Sequence, residues 1–245
     1  ILASQESILA SQESIQAQIV RLQQLQHTSV PEASVEQKLG SIRPKTDYDP
    51  TEHAFYDELR VADGTRGWLL RRLEDAVCGS DKQRGVHLCG PAGCGKSSVL
   101  AEFARQMQAA QDGVAVAQFF FRFGESSDSL AVCLRSLAFQ LLTQEKMEHY
   151  KNEVLEALKD GRCDIDAFED TVVLFKTWIY APLRSAQRKK STPTRIVFVI
   201  DGLDECRDTY GQSRSELHQL VFGDGRRGAD ALVTLPGCRV VSSSI

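Results

Sequence analysis

The chain has 245 residues, 42% of them apolar and 25% charged, and carries a formal net charge of -4. That length suffices for one α/β domain with a full core plus a small appendage, and the acidic balance argues against nucleic acid or an anionic membrane as the main partner. The longest apolar run in a strand-like pattern, Ile196 to Ile200, is far too short to cross a bilayer.

The chain opens on a verbatim repeat, Ile1-Leu2-Ala3-Ser4-Gln5-Glu6-Ser7 followed by Ile8-Leu9-Ala10-Ser11-Gln12-Glu13-Ser14, with a degenerate third copy from Ile15. Apolar residues recurring at Ile1, Ile8, Ile15 and Leu22 keep one seam on the same side of a supercoiling helix. Residues 1–26 are therefore expected to form a heptad-patterned helix, a weak coiled coil because the opposing positions are Ser and Gln; a polar spacer is the alternative. From His27 to Pro50 the pattern fades among Pro31, Gly40, Pro44 and Pro50, which reads as a linker over 27–50. Residues 51–245 then read as one domain. Helical patterning appears at Glu52 to Arg60 and at Arg66 to Val77, where Trp68, Leu69, Leu70, Leu73 and Val77 are expected to share a face. Thr65, ending the turn Ala62-Asp63-Gly64-Thr65, is the expected N-cap of the second helix.

The next stretch carries the chemistry. Gly85-Val86-His87-Leu88-Cys89 reads as a short strand and runs into Gly90-Pro91-Ala92-Gly93-Cys94-Gly95-Lys96-Ser97. This is the pattern of a phosphate-binding loop: glycines let successive backbone N–H groups turn inward toward a phosphate, Lys96 reaches the β and γ phosphates, and Ser97 offers its hydroxyl to Mg²⁺. A helix beginning near Lys96 adds unpaired N–H groups and a positive dipole end, with Ser98 in its first turn. Gly90 to Ser98 are thus the expected nucleotide-binding residues.

Gly113 ends that helix, and Val114 to Phe123 reads as a second, largely buried strand. Asp128 or Ser129 should cap a helix bearing Leu130, Leu134, Leu137 and Leu141, and further helices are expected near Gln144 to Lys159 and Phe168 to Ala186. The basic stretch Arg184 to Arg195 reads as a solvated loop, since a phosphoinositide or RNA contact needs more positive charge than this chain carries. Arg195-Ile196-Val197-Phe198-Val199-Ile200-Asp201 is a run of β-formers ending in an acid, and ligands of parallel sheets sit at the carboxyl ends of strands. Asp201 is the expected second Mg²⁺ residue. Asp201, Asp204 and Glu205 would repel one another unless a cation offsets them. In hydrolysis Mg²⁺ and Lys96 would offset phosphate charge while Asp204 or Glu205 orients water, and the residues do not choose between the two.

Cys78, Cys89, Cys94, Cys133, Cys163, Cys206 and Cys238 are scattered and odd in number, which reads as reduced thiols and a cytoplasmic location. Cys94 is either a reactive thiol inside the loop or a filler at a variable position. The dispersed histidines give no zinc pattern. Without an initiator Met, and stopping at an apolar strand near Val240 to Ser244, the chain reads as a fragment of a longer protein.

Gly-Pro-Ala-Gly-Cys-Gly-Lys-Ser-Ser at 90–98 together with Phe-Val-Ile-Asp-Gly-Leu-Asp-Glu-Cys at 198–206 resembles the NACHT domain of STAND NTPases. Gly64 to Leu70, Phe119-Phe120-Phe121 and Leu134 to Leu142 look like fungal NLR-type members of that group. The resemblance implies an α/β P-loop NTPase of three α/β/α layers, with a mainly parallel sheet in strand order 5-1-4-3-2 whose fifth strand lies outside these residues, preceded by the N-terminal helix. It also implies a switch that binds ATP or GTP with Mg²⁺, hydrolyses it slowly and controls homo-oligomerisation, with effector and repeat domains elsewhere in the full chain, in responses of the innate-immunity or programmed-cell-death type. Base or ribose contacts would fall in Asp63 to Arg66. Where such members carry Arg after a Thr/Ser-Ser pair, this chain has Ser244, which opens the alternative of a non-hydrolysing nucleotide-binding scaffold.

Overall fold

The computed structural model describes residues 58–62, 64–79, 84–110, 113–122, 129–163, 170–189, 195–206, 213–223 and 230–244. The expected heptad helix, the linker and nearly all of the helix expected from Glu52 lie outside them.

Helix α1 (Gly67–Cys78) is followed by β1 (Gly85–Cys89), α2 (Lys96–Ala110), β2 (Val114–Phe120) and α3 (Leu130–Thr143). After α4 (Glu148–Lys159) comes a continuous helical segment, α5, made of Thr171–Leu174, a π-helical turn Phe175–Tyr180, and Ala181–Arg188. Strand β3 (Arg195–Asp201), helix α6 (Ser213–Phe222) and strand β4 (Cys238–Ser244) complete the domain. The sheet has four strands in the order β1-β4-β3-β2, every neighbouring pair parallel. This is the order expected for strands one to four.

Alternation along the strands builds two cores. Val114, Val116 and Phe120 of β2 and Val197 and Val199 of β3 pack with Leu70, Leu73, Val77, Leu100, Phe103 and Met107 from α1 and α2. The residues between them, Ala115, Ala117 and Phe119 with Ile196, Phe198 and Ile200, face α3 to α6. The result is three layers, α1 and α2 on one face of the sheet and the remaining helices on the other, which is why the central strands read as unbroken apolar runs.

Strand β2 is an outer strand, yet its free side is closed by two glutamines of α3 and the residue after it. The Gln140 amide accepts from Gln118 N–H at 2.9 Å and donates to Gln118 C=O at 2.8 Å. Gln144 does the same for Val116, at 3.2 and 2.9 Å. The Lys146 ammonium donates to Val114 C=O. Side-chain amides thus stand where the backbone of a further strand would pair.

The π-helical turn has a local cause. Pro182 has no N–H for the carbonyl of Trp178 and its ring crowds that carbonyl; the Trp178 oxygen instead accepts from the Tyr150 hydroxyl, and Ala181 N–H bonds to Lys176 C=O one residue further back than in an α-helix. Asp170 starts the segment, its carboxylate accepting from the N–H groups of Val172 and Val173, both at 3.0 Å.

Several expectations are corrected. Thr65 is not the N-cap of α1: its hydroxyl donates to Ala62 C=O at 2.7 Å and closes the turn, while Arg66 takes the cap position in left-handed backbone (φ 58°). Trp68 is off the buried face and 60% exposed, whereas Leu70, Leu73 and Val77 are buried on the stripe that meets α2 and Leu69 packs partly buried against the same core. Strand β2 ends at Phe120, and Phe121 N–H turns to bond Asp201 C=O at 3.0 Å. Ser129 occupies the cap position of α3 without a side-chain cap bond. Strand β4 starts earlier than expected, at Cys238, since a buried Arg239 interrupts its apolar pattern without interrupting its ladder.

Candidate functional site

The loop after β1 is built by backbone sign. Gly93 (φ 74°) and Gly95 (φ 89°) are left-handed, a region in which a side chain is strained, and a Cβ on either would meet nothing within 4 Å. The glycines are required by the path of the chain and open onto free space. Cys94 N–H bonds back to Pro91 C=O at 3.3 Å, and Val99 N–H starts the α2 ladder on Gly95 C=O at 3.1 Å. Pro91, Ala92 and Gly93 are exposed, whereas Cys94 to Ser98 are half-buried.

Two cations are laid on the loop's own carbonyls. The Lys96 ammonium donates to Gly90 C=O at 2.7 Å and Pro91 C=O at 3.1 Å. The Arg66 guanidinium donates to Cys94 C=O at 3.0 Å, tying the start of α1 to the loop. The left-handed backbone of Arg66 costs about 1 kcal/mol in a residue with a Cβ, and this contact lies on the favourable side of that balance.

Asp201 ends β3 and is 5% exposed. Its carboxylate accepts from the Ser97 hydroxyl at the start of α2 and from the Ser243 hydroxyl on β4. Ser243 also accepts from Gly202 N–H at 3.3 Å. Burial pushes the Asp201 carboxyl above the usual carboxylate range, while the bonds from Ser243 and Ser97, the charge of Lys96 and the Gly202 N–H work against that rise. Loop and strand tip therefore meet at one point, with Lys96, Ser97 and Asp201 together. Gly202 follows in left-handed backbone (φ 68°), where a Cβ would stand 3.2 Å from Phe121 C=O. Its smallness thus lets the turn after β3 pass close to the backbone just beyond β2.

Asp204 and Glu205 occupy a short 3₁₀ turn, Leu203–Glu205, closed by Glu205 N–H on Gly202 C=O at 2.8 Å. Asp204 lies near enough to His87 to favour its protonated form. His87 bridges β1 to β4, with Nδ1 2.8 Å from Ser242 Oγ and Nε2 2.9 Å from Ser244 Oγ. Parallel register makes this arrangement legible: His87 opposes Ser242, so Ser242 and Ser244 share its face while Ser243 turns to the other, the face of Asp201.

A family model for the nephrocystin 3 N-terminal region matches residues 64–234. The chain belongs to the nephrocystin 3 N-terminal family. The matched span takes in α1, the phosphate-type loop and Asp201, and stops before β4 and its serines. No curated protein and no solved structure matches the chain significantly.

In this member of the family, the donor set fits a magnesium-bound phosphate. A hydroxyl and a buried carboxylate, joined to each other beside a lysine, are oxygen ligands of the hard kind that Mg²⁺ takes. No cluster of three or more His, Cys, Asp or Glu that could hold a metal ion occurs among the described residues. No described helix is long and apolar enough to cross a membrane. Sequence reasoning missed Ser243, whose only signal was a polar triplet at the end of a buried strand, and gave His87 no role.

Proposed function

We propose that this nephrocystin 3 N-terminal family domain is a nucleotide-dependent switch of the NACHT type, similar to fungal NLR-like STAND proteins. In this reading it binds Mg-ATP or Mg-GTP and hydrolyses it slowly, in the cytoplasm, to control self-association, with effector and repeat domains elsewhere in the full chain. The observation that carries the reading is the junction of Ser97 with Asp201 beside Lys96. The backbone of Gly90 to Ser98 would cradle the phosphates, Lys96 would turn from the Gly90 and Pro91 carbonyls to the β and γ oxygens, and Ser97 and Asp201 would hold Mg²⁺. Bound there, Mg²⁺ would neutralise charge between the β and γ phosphates. Asp204 or Glu205 would orient the attacking water.

Titration of the chain with fluorescent ATP and GTP analogues in Mg²⁺ tests this. Saturable binding is expected, weakened at least about tenfold in Lys96→Ala through loss of a charge-assisted contact. Absence of binding, or an unchanged Lys96→Ala, overturns it.

The second reading, a scaffold that binds nucleotide without turnover, is favoured by Ser244. At a position where the resemblance places Arg, its hydroxyl is engaged by His87 at 2.9 Å. Phosphate release compared among the parent chain, Asp204→Asn and Glu205→Gln separates the two: near-zero release unchanged by either substitution supports the scaffold.

A further inference from the structure

Away from the phosphate-type loop, two cavities of about 430 and 440 Å³ share Tyr180, Arg184 and Arg188 as lining, and so form one groove along the second half of α5. One end is bounded by Gln187, Leu235 and Pro236, the other by Lys176 and Asp230. Arg188 closes α5 ahead of β3, and Leu235 and Pro236 immediately precede β4. The groove therefore sits at the amino end of the parallel sheet, opposite Asp201 and the loop at its carboxyl end.

Its chemistry is unbalanced in a defined way. Arg184 and Arg188 are one helical turn apart, both exposed, and neither forms an ion pair with a carboxylate among the described residues. The Arg184 guanidinium lies over the Tyr180 ring, 5.9 Å from its centroid, within reach of a cation–π attraction. Lys176 is matched by Asp230 at 3.8 Å. Gln187 donates through Nε2 to Pro236 C=O, while its Oε1 is buried and meets no donor among the described residues. The groove thus offers two guanidinium forks that pair with no carboxylate among the described residues, beside an aromatic and proline wall.

We propose that this groove binds an acidic peptide segment of a partner protein. Side-chain carboxylates of such a segment engage the forks of Arg184 and Arg188, and apolar side chains lie against Tyr180 and Pro236. A free phosphate ion would supply acceptors and leave the Tyr180 and Pro236 wall uncovered. An anionic membrane face calls for a flat basic surface, whereas Asp230 places a negative charge at one end of a concave one.

The test is fluorescence polarisation of the 245-residue chain, without nucleotide, with a fluorescein-labelled decapeptide of alternating Glu and Leu, its Gln-for-Glu counterpart, and vesicles of phosphatidylcholine with phosphatidylinositol phosphate. Saturable binding is expected for the Glu peptide at low salt, falling as salt rises, with little for the Gln peptide or the vesicles. Arg184→Gln combined with Arg188→Gln should weaken it about tenfold or more, and the paired Arg→Lys variant should be intermediate because charge remains without the fork. Both arginines are exposed, and an unchanged melting temperature of the double variant checks that the fold is kept. No saturable binding, equal binding of the Gln peptide, an unaffected double variant, or binding to vesicles alone overturns the proposal. Lys96→Ala should leave peptide binding unchanged, so failure here is distinguishable from failure of the nucleotide reading.

Discussion

Ser243 shows how one hydroxyl can hold a charged site together. It donates to the buried Asp201 and accepts from Gly202 N–H, so Ser243→Ala leaves a carboxylate with one donor fewer and a buried N–H without its partner. A loss of about 1–3 kcal/mol is expected, read as a lower denaturant midpoint with unchanged slope. His87 yields a pH prediction. Its burial, and then the charge of His218, hold its pKa below the ordinary histidine value of 6.5, against an opposing pull from Asp204. Above 6.5 both folded and unfolded chains carry neutral His87 and its contribution is fully present. As pH falls from 6.5 through the lower folded value, the unfolded chain takes up the proton more readily and that contribution is lost. Melting temperature should therefore drop across this interval, and less steeply in His87→Gln. Of these residues Lys96, Ser97 and Asp201 were legible in sequence because a linear motif carries them, whereas Ser243 and His87 depend on strand register, which no motif encodes.

Among the elements, the seal on β2 is the most exposed to test. Gln140→Leu removes both partners of the Gln118 peptide group at a buried position where water does not substitute, and about 2–4 kcal/mol of destabilisation is expected by thermal or denaturant unfolding. Gln140→Glu should also destabilise, because a carboxylate can accept from Gln118 N–H but faces its carbonyl with no donor. Element existence was readable: β1, α2, β3 and the leucine stripe of α3 stand where periodicity put them. Their ends were less so. Thr65 has the chemistry of a cap but spends its hydroxyl inside the preceding turn, and the π-helical turn at Phe175–Tyr180 arises from a proline meeting a distant tyrosine. Helix α6 drew no expectation at all, since its apolar residues, Leu217, Leu220, Val221 and Phe222, are bunched toward one end and too few to raise a periodic signal above the polar residues around them.

For the whole molecule, layering decides which thiols are reachable. Cys133, Cys163, Cys206 and Cys238 are buried, and burial pushes Cys163 to about 11 and Cys238 to about 12, with Cys133 raised as well. Cys89 is exposed beside the loop, and Cys78 and Cys94 are half-buried. Brief alkylation of native protein at pH 7.5, read by mass spectrometry of peptides, should label Cys89 first and spare the four buried positions until denaturant is added. Early labelling of Cys206 or Cys238 would contradict the packing between sheet and outer helices. The three-layer arrangement itself was legible, because parallel strands buried on both faces leave apolar runs that few other architectures produce; the groove along α5 was not, because the basic stretch from Arg184 reads as a solvated loop, whereas Arg184 and Arg188 stand on the helix beside Tyr180 and Pro236.

The two borders of the sheet are not equivalent. Glutamine side chains occupy every hydrogen-bonding position that Val116 and Gln118 turn outward, so that border cannot template another chain. Growth of the sheet, whether by more of the same polypeptide or by a visiting one, is thereby directed to the β1 border, where the order 5-1-4-3-2 would seat its fifth member, beside the strand that runs directly into the phosphate-type loop.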